Sequence, residues 1–271
     1  MLRNMTIGQY YPADSVIHRL DPRVKLLWTV VFLVSVFFIG NIPTFILVTA
    51  ALLIYIALSK VPVSFMIRGL RAIAVIMVMT FLFNAFLTPG RVLFQLGFLR
   101  ATAEGLETGI YMLMRLSYLI AGASVMTLTT TPNQLTDGLE KGLRILNRIH
   151  IPVHEIAMMM AIALRFIPTL TEELDRIMKA QKARGANFDN GGLIERAKGL
   201  IPLLIPLFVA AIRRANDLAL AMDARCYHGG SGRTKMKPLK YTKTDLAAYV
   251  IILIYIILVV AFRFFDIFHA L

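Results

Sequence analysis

The chain is poor in the residues from which enzymes build reactive sites. It has one cysteine, Cys226, so no disulfide forms within it. Its five histidines are scattered. His154-Glu155 opens like the two-histidine helix motif of zinc proteases, but Met158 stands where the second histidine is required. His150 and His154 are separated by Pro152, so no metal site is expected. Gly229-Gly230-Ser231-Gly232-Arg233-Thr234 is glycine-rich and basic, yet it lacks the spacing and Lys-Ser/Thr ending of a phosphate-binding loop. No cofactor is expected, and any ATP this protein uses is bound by another chain. Charge is also scarce, at 17% of residues, against about 25% in soluble domains. The polar stretch Met1–Asp21 lacks a cleavable signal pattern.

What replaces charge is apolar sequence. Of the 271 residues, 58% are hydrophobic, and the mean hydropathy is +0.69. This composition predicts an all-α integral membrane protein, with the bilayer as its solvent. The net charge of +13 would suggest nucleic acid in a soluble chain. Here it reads as cytoplasmic loops, and no nucleic-acid partner is expected.

Five spans are predicted: Val24–Ile39, Thr44–Leu58, Ala72–Leu87, Leu106–Leu128 and Leu246–Phe262. Several sit at the short end of the ~20 residues that a bilayer core needs. Arg3, Arg19 and Arg23 precede the first span and Lys25 lies at its start, so the positive-inside rule places the N-terminus in the cytoplasm. Lys60, Arg68 and Arg71 place the second connection on the same side, while the uncharged Gly40-Asn41-Ile42-Pro43 lies outside. Residues 1–131 thus hold spans one to four, and 244–271 the last. Residues 132–243 form a cytoplasmic module of three helices.

That module mixes charge with two apolar runs, Ile156–Ile167 and Gly199–Ile212. At about 12–14 residues, each is too short to span comfortably and suits the membrane surface. Each run continues into a charged stretch. A helix over Asn133–Arg148 precedes them, opened by Thr131-Pro132-Asn133. Lys235, Lys237, Lys240 and Lys243 follow as surface-seeking cations.

Each charged stretch ends on the same phrase. The first reads Ala180-Gln181-Lys182-Ala183-Arg184-Gly185, and the second Ala221-Met222-Asp223-Ala224-Arg225-Cys226. An arginine in a last helical turn complements the helix dipole, and Gly185 is a favoured left-handed cap. Alternatively, small residues narrow a tip that enters a groove and presents a guanidinium to carboxylates or carbonyls. On residue chemistry alone, capping and docking stand as equal readings.

The sequence resembles the T component of energy-coupling factor transporters, the membrane subunit of modular vitamin and metal importers. The resemblance covers most of the chain. It is carried by Ala163-Leu164-Arg165-Phe166-Ile167-Pro168, Ala183-Arg184-Gly185, Arg214-Ala215, Ala224-Arg225-Cys226-Tyr227 and the opening Leu20-Asp21-Pro22-Arg23. One departure is Cys226, where the first copy has Gly185. The resemblance implies a multi-pass protein of a prokaryotic cell membrane. It implies that Arg184 and Arg225 dock into two cytoplasmic ATPase subunits, with Ala183, Gly185, Ala224 and Cys226 shaping the tips. It further implies that the apolar helix halves support a substrate-binding membrane S component, in some members one of several interchangeable ones. The chain is then a non-catalytic subunit. Asp21, Pro22 and Arg23 are expected to fix how the chain enters the first span.

Two rival readings are a self-contained channel or secondary transporter and a membrane-embedded enzyme. The first needs polar residues lining several spans, which hold little beyond Arg115 and Asn84. Arg115 reads as a snorkelling side chain or a partner of Asn84. Met158-Met159-Met160 reads as adaptable packing.

Overall fold

The computed structural model describes residues 10–40, 42–96, 99–186, 192–229 and 238–270. In chain order they form α1 (Val16–Arg19), α2 (Pro22–Phe37), α3 (Ile42–Ser59), α4 (Val63–Leu87), β1 (Val92–Leu96), β2 (Leu99–Thr102), α5 (Ala103–Thr129) and α6 (Pro132–Gly142). A 3-10 helix over Leu143–Ile149 leads to α7 (Val153–Ala183), α8 (Leu193–Asp223) and α9 (Lys243–Ala270). The protein is an all-α membrane protein apart from one hairpin. Two compact units divide it: Met1–Lys141 with Leu239–Leu271, and Gly142–Pro238.

Among the described residues, six helices are long and apolar enough to cross a bilayer: α3, α4, α5, α7, α8 and α9. This differs from the five spans read off the sequence. The two short apolar runs continue without interruption into their charged stretches, giving helices of 31 residues each. Helix α2, at 16 residues, spans only about 24 Å. The expected helix over Asn133–Arg148 is also shorter: α-helical geometry ends at Gly142 and a 3-10 segment follows. The connection between α4 and α5 holds an antiparallel hairpin, Val92 opposite Thr102 and Leu96 opposite Leu99, that the sequence reading did not contain.

In the first unit α5 packs against α2, α3 and α4. The core is apolar and aromatic: Phe32, Val36, Val48, Leu52 and Ala121 form one cluster, and Ile17, Tyr55, Val61, Met66, Val125 and Leu128 another. Close approach depends on two glycines of α5. A Cβ at Gly122 would lie 2.6 Å from the Phe32 ring, and one at Gly105 would lie 2.6 Å from the Asn84 carbonyl oxygen. Several polar side chains in the spans bond to their own helices or to each other. Thr80 donates to the Ile76 carbonyl at 2.8 Å, and the Ser35 and Tyr255 hydroxyls meet at 2.6 Å. Many apolar side chains on α3 and α9 face outward instead, as a bilayer solvent allows.

Helix ends converge on one buried cation. Lys25 is 1% exposed. Its Nζ donates to the carbonyls of His18 at 3.1 Å and Thr129 at 3.0 Å. Thr129 is the last residue of α5, whose terminal carbonyls lack helical partners. Beside it the Asp21 amide donates to Asp245 Oδ1 at 2.8 Å, and Asp245 Oδ2 accepts from the Thr242 amide and hydroxyl at 2.8 and 2.6 Å. The starts of α2 and α9 are thereby joined. We expect Lys25→Met to destabilise the protein by about 3 kcal/mol, because two carbonyls lose their donor and two carboxylates lose a nearby cation. Thermal unfolding in detergent checks this; an unchanged midpoint would refute it.

His18 secures the segment before α2. Its Nε2 donates to the Tyr11 carbonyl at 3.0 Å, and its Nδ1 meets the Ser15 hydroxyl at 2.7 Å. Partial burial pulls the imidazole below its ordinary value of 6.5. The unfolded segment then holds a proton that the folded one has released, so this anchor is fully present above pH 6.5 and is lost as pH falls below it, through the lower value of the folded imidazole. Hydrogen exchange around Tyr11–His18, corrected for intrinsic rates, should quicken at about pH 5.5 relative to about pH 7.5. His18→Gln should remove the difference.

Candidate docking tips at two helix ends

The second unit is built around α7 and α8. Helix α7 is mostly apolar in its first half and charged in its second, while α8 opens on Glu195, Arg196 and Lys198, is apolar over Gly199–Ile212 and turns charged again from Arg213. Prolines lie inside each: Pro168 in α7, Pro202 and Pro206 in α8. The helices line an open apolar cleft of about 380 Å³, formed by Ile162–Leu170 on α7 and Ala211–Met222 on α8. Ala163, Ala211, Ala215 and Ala219 keep its walls low. At 3.9 Å, Arg214 and Glu173 pair across the two helices, each about one-third exposed. An ion pair at that exposure contributes up to about 1 kcal/mol. The sequence alone does not show this pairing, since nothing in it sets the register of two helices.

Helix α8 uses its last turns in the cleft, whereas α7 runs on from Leu170 to Ala183, about 20 Å further. Both then stop in the same way. The Gly185 amide bonds to the Lys182 carbonyl at 3.0 Å and the Ala186 amide to the Gln181 carbonyl at 3.0 Å. The Cys226 amide bonds to Asp223 at 2.8 Å and the Tyr227 amide to Met222 at 3.1 Å. This is a Schellman motif twice over, with Arg184 and Arg225 each at the C-cap. Gly185 has φ 86° and Cys226 φ 53°, both left-handed. The departure from glycine at Cys226 therefore leaves the cap geometry unchanged, at a strain of roughly 1–2 kcal/mol for a residue with a Cβ.

Ala183, Arg184, Gly185, Ala224, Arg225 and Cys226 are all exposed. Neither guanidinium has an ion pair with another described side chain. Each cap turns the chain sharply, so the arginine stands at the apex of a narrow tip. The structure places the two tips in one unit, on adjacent packed helices.

The remaining candidates lie in the first unit. Asp21 is the N-cap of α2, accepting the Arg23 amide at 2.9 Å, with Pro22 at the first helical position. Arg23 donates from Nη1 to the Tyr241 hydroxyl at 2.9 Å and lies 4.8 Å above its ring. Arg115 sits 6.0 Å from the Phe37 ring, while Asn84 donates to the Thr80 carbonyl of its own helix. Among the described residues no three His, Cys, Asp or Glu gather as metal ligands. Residues 187–191 and 230–237, the latter including Lys235 and Lys237, lie outside the described residues.

The two caps make a matched pair of tests. Cys226→Gly should stabilise the last turn of α8 by about 1 kcal/mol, and Gly185→Ala should destabilise that of α7 by a similar amount. Amide exchange at residues 220–227 and 179–186 reads both, and changes of the same sign would refute the shared cap.

Residues 13–236 match the family model described as cobalt transport protein. The chain is 51% identical over 249 residues to the energy-coupling factor transporter transmembrane protein of Thermosediminibacter oceani, covering 92% of this chain and 94% of that one. It is 50% identical to the protein of the same name from Ruminiclostridium cellulolyticum, covering 91% and 92%. It is 46% identical to that of Bacillus subtilis, covering 94% and 96%. Likeness at this level, along nearly the full length of each relative, establishes that the chain belongs to the family of energy-coupling factor transporter transmembrane proteins.

Proposed function

We propose that this membrane transporter subunit couples ATP hydrolysis by two cytoplasmic ATPase subunits to movement of a substrate-binding S component. Arg184 and Arg225 are the contacts to the ATPases, one tip to each. The observation that carries the reading is the twin cap: two helices of equal length end in one hydrogen-bond pattern, each with an exposed arginine at its apex. A capping role alone accounts for either arginine but not for identical geometry on two packed helices.

The mechanism follows from stiffness. A 31-residue helix is about 46 Å long and transmits displacement of its tip along its axis. The charged halves of α7 and α8 reach the ATPases. The apolar halves, with exposed Leu204, Ile205, Phe208 and Val209 on α8, face lipid or the S component. When ATP binding moves the ATPases, the tips move with them, and the cleft between the helices gives room for their crossing to change. The Glu173–Arg214 pair limits that change. ATP stays on the partner subunits, and this chain performs no catalytic step. The transported micronutrient is selected by the S component, dedicated or shared.

Arg184→Glu and Arg225→Glu test the reading. Each single reversal should weaken retention of ATPase subunits by roughly tenfold or more, through lost charge-assisted hydrogen bonds and new repulsion. The double variant should lose ATP-driven uptake in vesicles while still co-purifying with the S component. Intact ATPase retention and uptake in the double variant would end the docking reading.

A further inference from the structure

The first unit contains a second concavity that the docking tips do not use. It is an apolar groove of about 450 Å³ bounded by α1, α2, α3 and α9. Ala50 and Ala51 on α3 and Ala247 and Ala248 on α9 form low walls, with Trp28 and Tyr255 among its lining aromatics. Along α9 it runs from Thr244 to Leu258, about 21 Å. That exceeds the ~15 Å depth of one leaflet's hydrocarbon, taken as half of the bilayer core. Its lining is apolar almost throughout, and it opens on helices whose outward side chains, such as Leu53, Ile54, Ile251 and Ile254, are apolar and exposed.

One end of the groove is different in kind. Val16, Leu20 and Thr244 mark it; Arg19, Arg23 and Lys243 lie next to it along the chain, and Arg23 reaches Tyr241, the neighbour of Lys240. The carboxylates here are already engaged. Asp14 binds Arg19 at 2.7 Å, Asp21 caps α2 beside Arg23, and Asp245 holds Thr242 and the Asp21 amide. The exposed Lys240 and Lys243 have no such partner among the described residues. The positive-inside rule assigns this end to the cytoplasmic leaflet.

We infer that the groove holds one acyl chain of an anionic phospholipid, with its phosphate at the basic mouth near Lys240 and Lys243. Groove length and lining select an acyl chain, and the unbalanced lysines select a negative headgroup. The occupant would fill the space between α3 and α9 beside the Lys25 and Asp245 tie, so a lipid would brace the spans that carry the coupling unit. The inference does not depend on the docking of ATPase subunits.

Trp28 makes the test direct, because it is the single tryptophan of the chain and it lines the groove. The full chain is reconstituted in nanodiscs carrying phosphatidylcholine with increasing fractions of brominated phosphatidylglycerol or brominated phosphatidylcholine, and Trp28 fluorescence is followed. Brominated phosphatidylglycerol should reach half-quenching at a mole fraction roughly fivefold lower, the effect of about one basic residue at an anionic surface. Lys240→Ser with Lys243→Ser, both on exposed positions, should bring the two lipids together without changing maximal quenching. Ala51→Phe with Ala248→Phe should cut maximal quenching at least twofold for both. Equal half-quenching by the two lipids in the unaltered chain would overturn the inference. So would an absence of quenching, which would mean that protein covers the groove, and so would full quenching in the filled variant.

Discussion

The buried ammonium of Lys25 is the point on which the first unit depends. It lies where four helices begin or end: α1 and α5 offer carbonyls, and α2 and α9 offer carboxylates nearby. Each of these ends would otherwise leave backbone groups without partners at the membrane boundary, where water is scarce. A lysine supplies three donors on a flexible stem and carries charge that favours helix C-termini. Asp21 and Asp245 balance that charge while capping their own helices. One residue therefore fixes the relative positions of elements far apart in sequence, and the hydrocarbon-facing surfaces need supply no specificity.

A related economy governs the second unit. Capping and docking entered as alternatives for Arg184 and Arg225. The geometry shows that the two are compatible: both arginines occupy C-cap positions and both remain exposed. The Schellman turns satisfy the carbonyls of Gln181 and Lys182 in one helix and of Met222 and Asp223 in the other from within the chain. The left-handed residue then reverses the chain, and the arginine stands clear. Cys226 accepts a conformation that glycine adopts freely, which shows how strongly the six-to-one and five-to-two hydrogen bonds hold the turn.

The molecule thus separates two kinds of surface. Outward apolar side chains on the spans meet lipid, and where alanines lower that surface a groove forms between α3 and α9. In the second unit, alanines facing each other across α7 and α8 leave a similar cleft, bordered there by an ion pair. Small residues create space in both places. Charge at the edge differs between them: Lys240 and Lys243, without an ion pair to a described residue, adjoin the groove in sequence, and the Glu173–Arg214 pair borders the cleft.

Much of this was legible in the chain itself. Composition determined the membrane class, because 58% hydrophobic residues leave no other solvent for so much apolar surface. The repeated Ala-Arg phrase marked both helix ends, and Asp21-Pro22 marked the start of α2, since caps are written in a few consecutive residues. Helix continuity was legible, because each apolar run passes into its charged stretch with no break signal and hydrogen bonding within a helix does not depend on polarity. Full length was not: α7 and α8 reach 31 residues each, and α8 begins at Leu193, ahead of the run read from Gly199. Nor could the sequence show that Lys25 is buried rather than a cytoplasmic-loop cation, that Asp245 meets Asp21, or that Glu173 faces Arg214. Those pairings join residues distant in the chain, and only tertiary packing sets their register. Local hydrogen bonding is specified by neighbours, and long-range contact by the shape that the whole chain adopts.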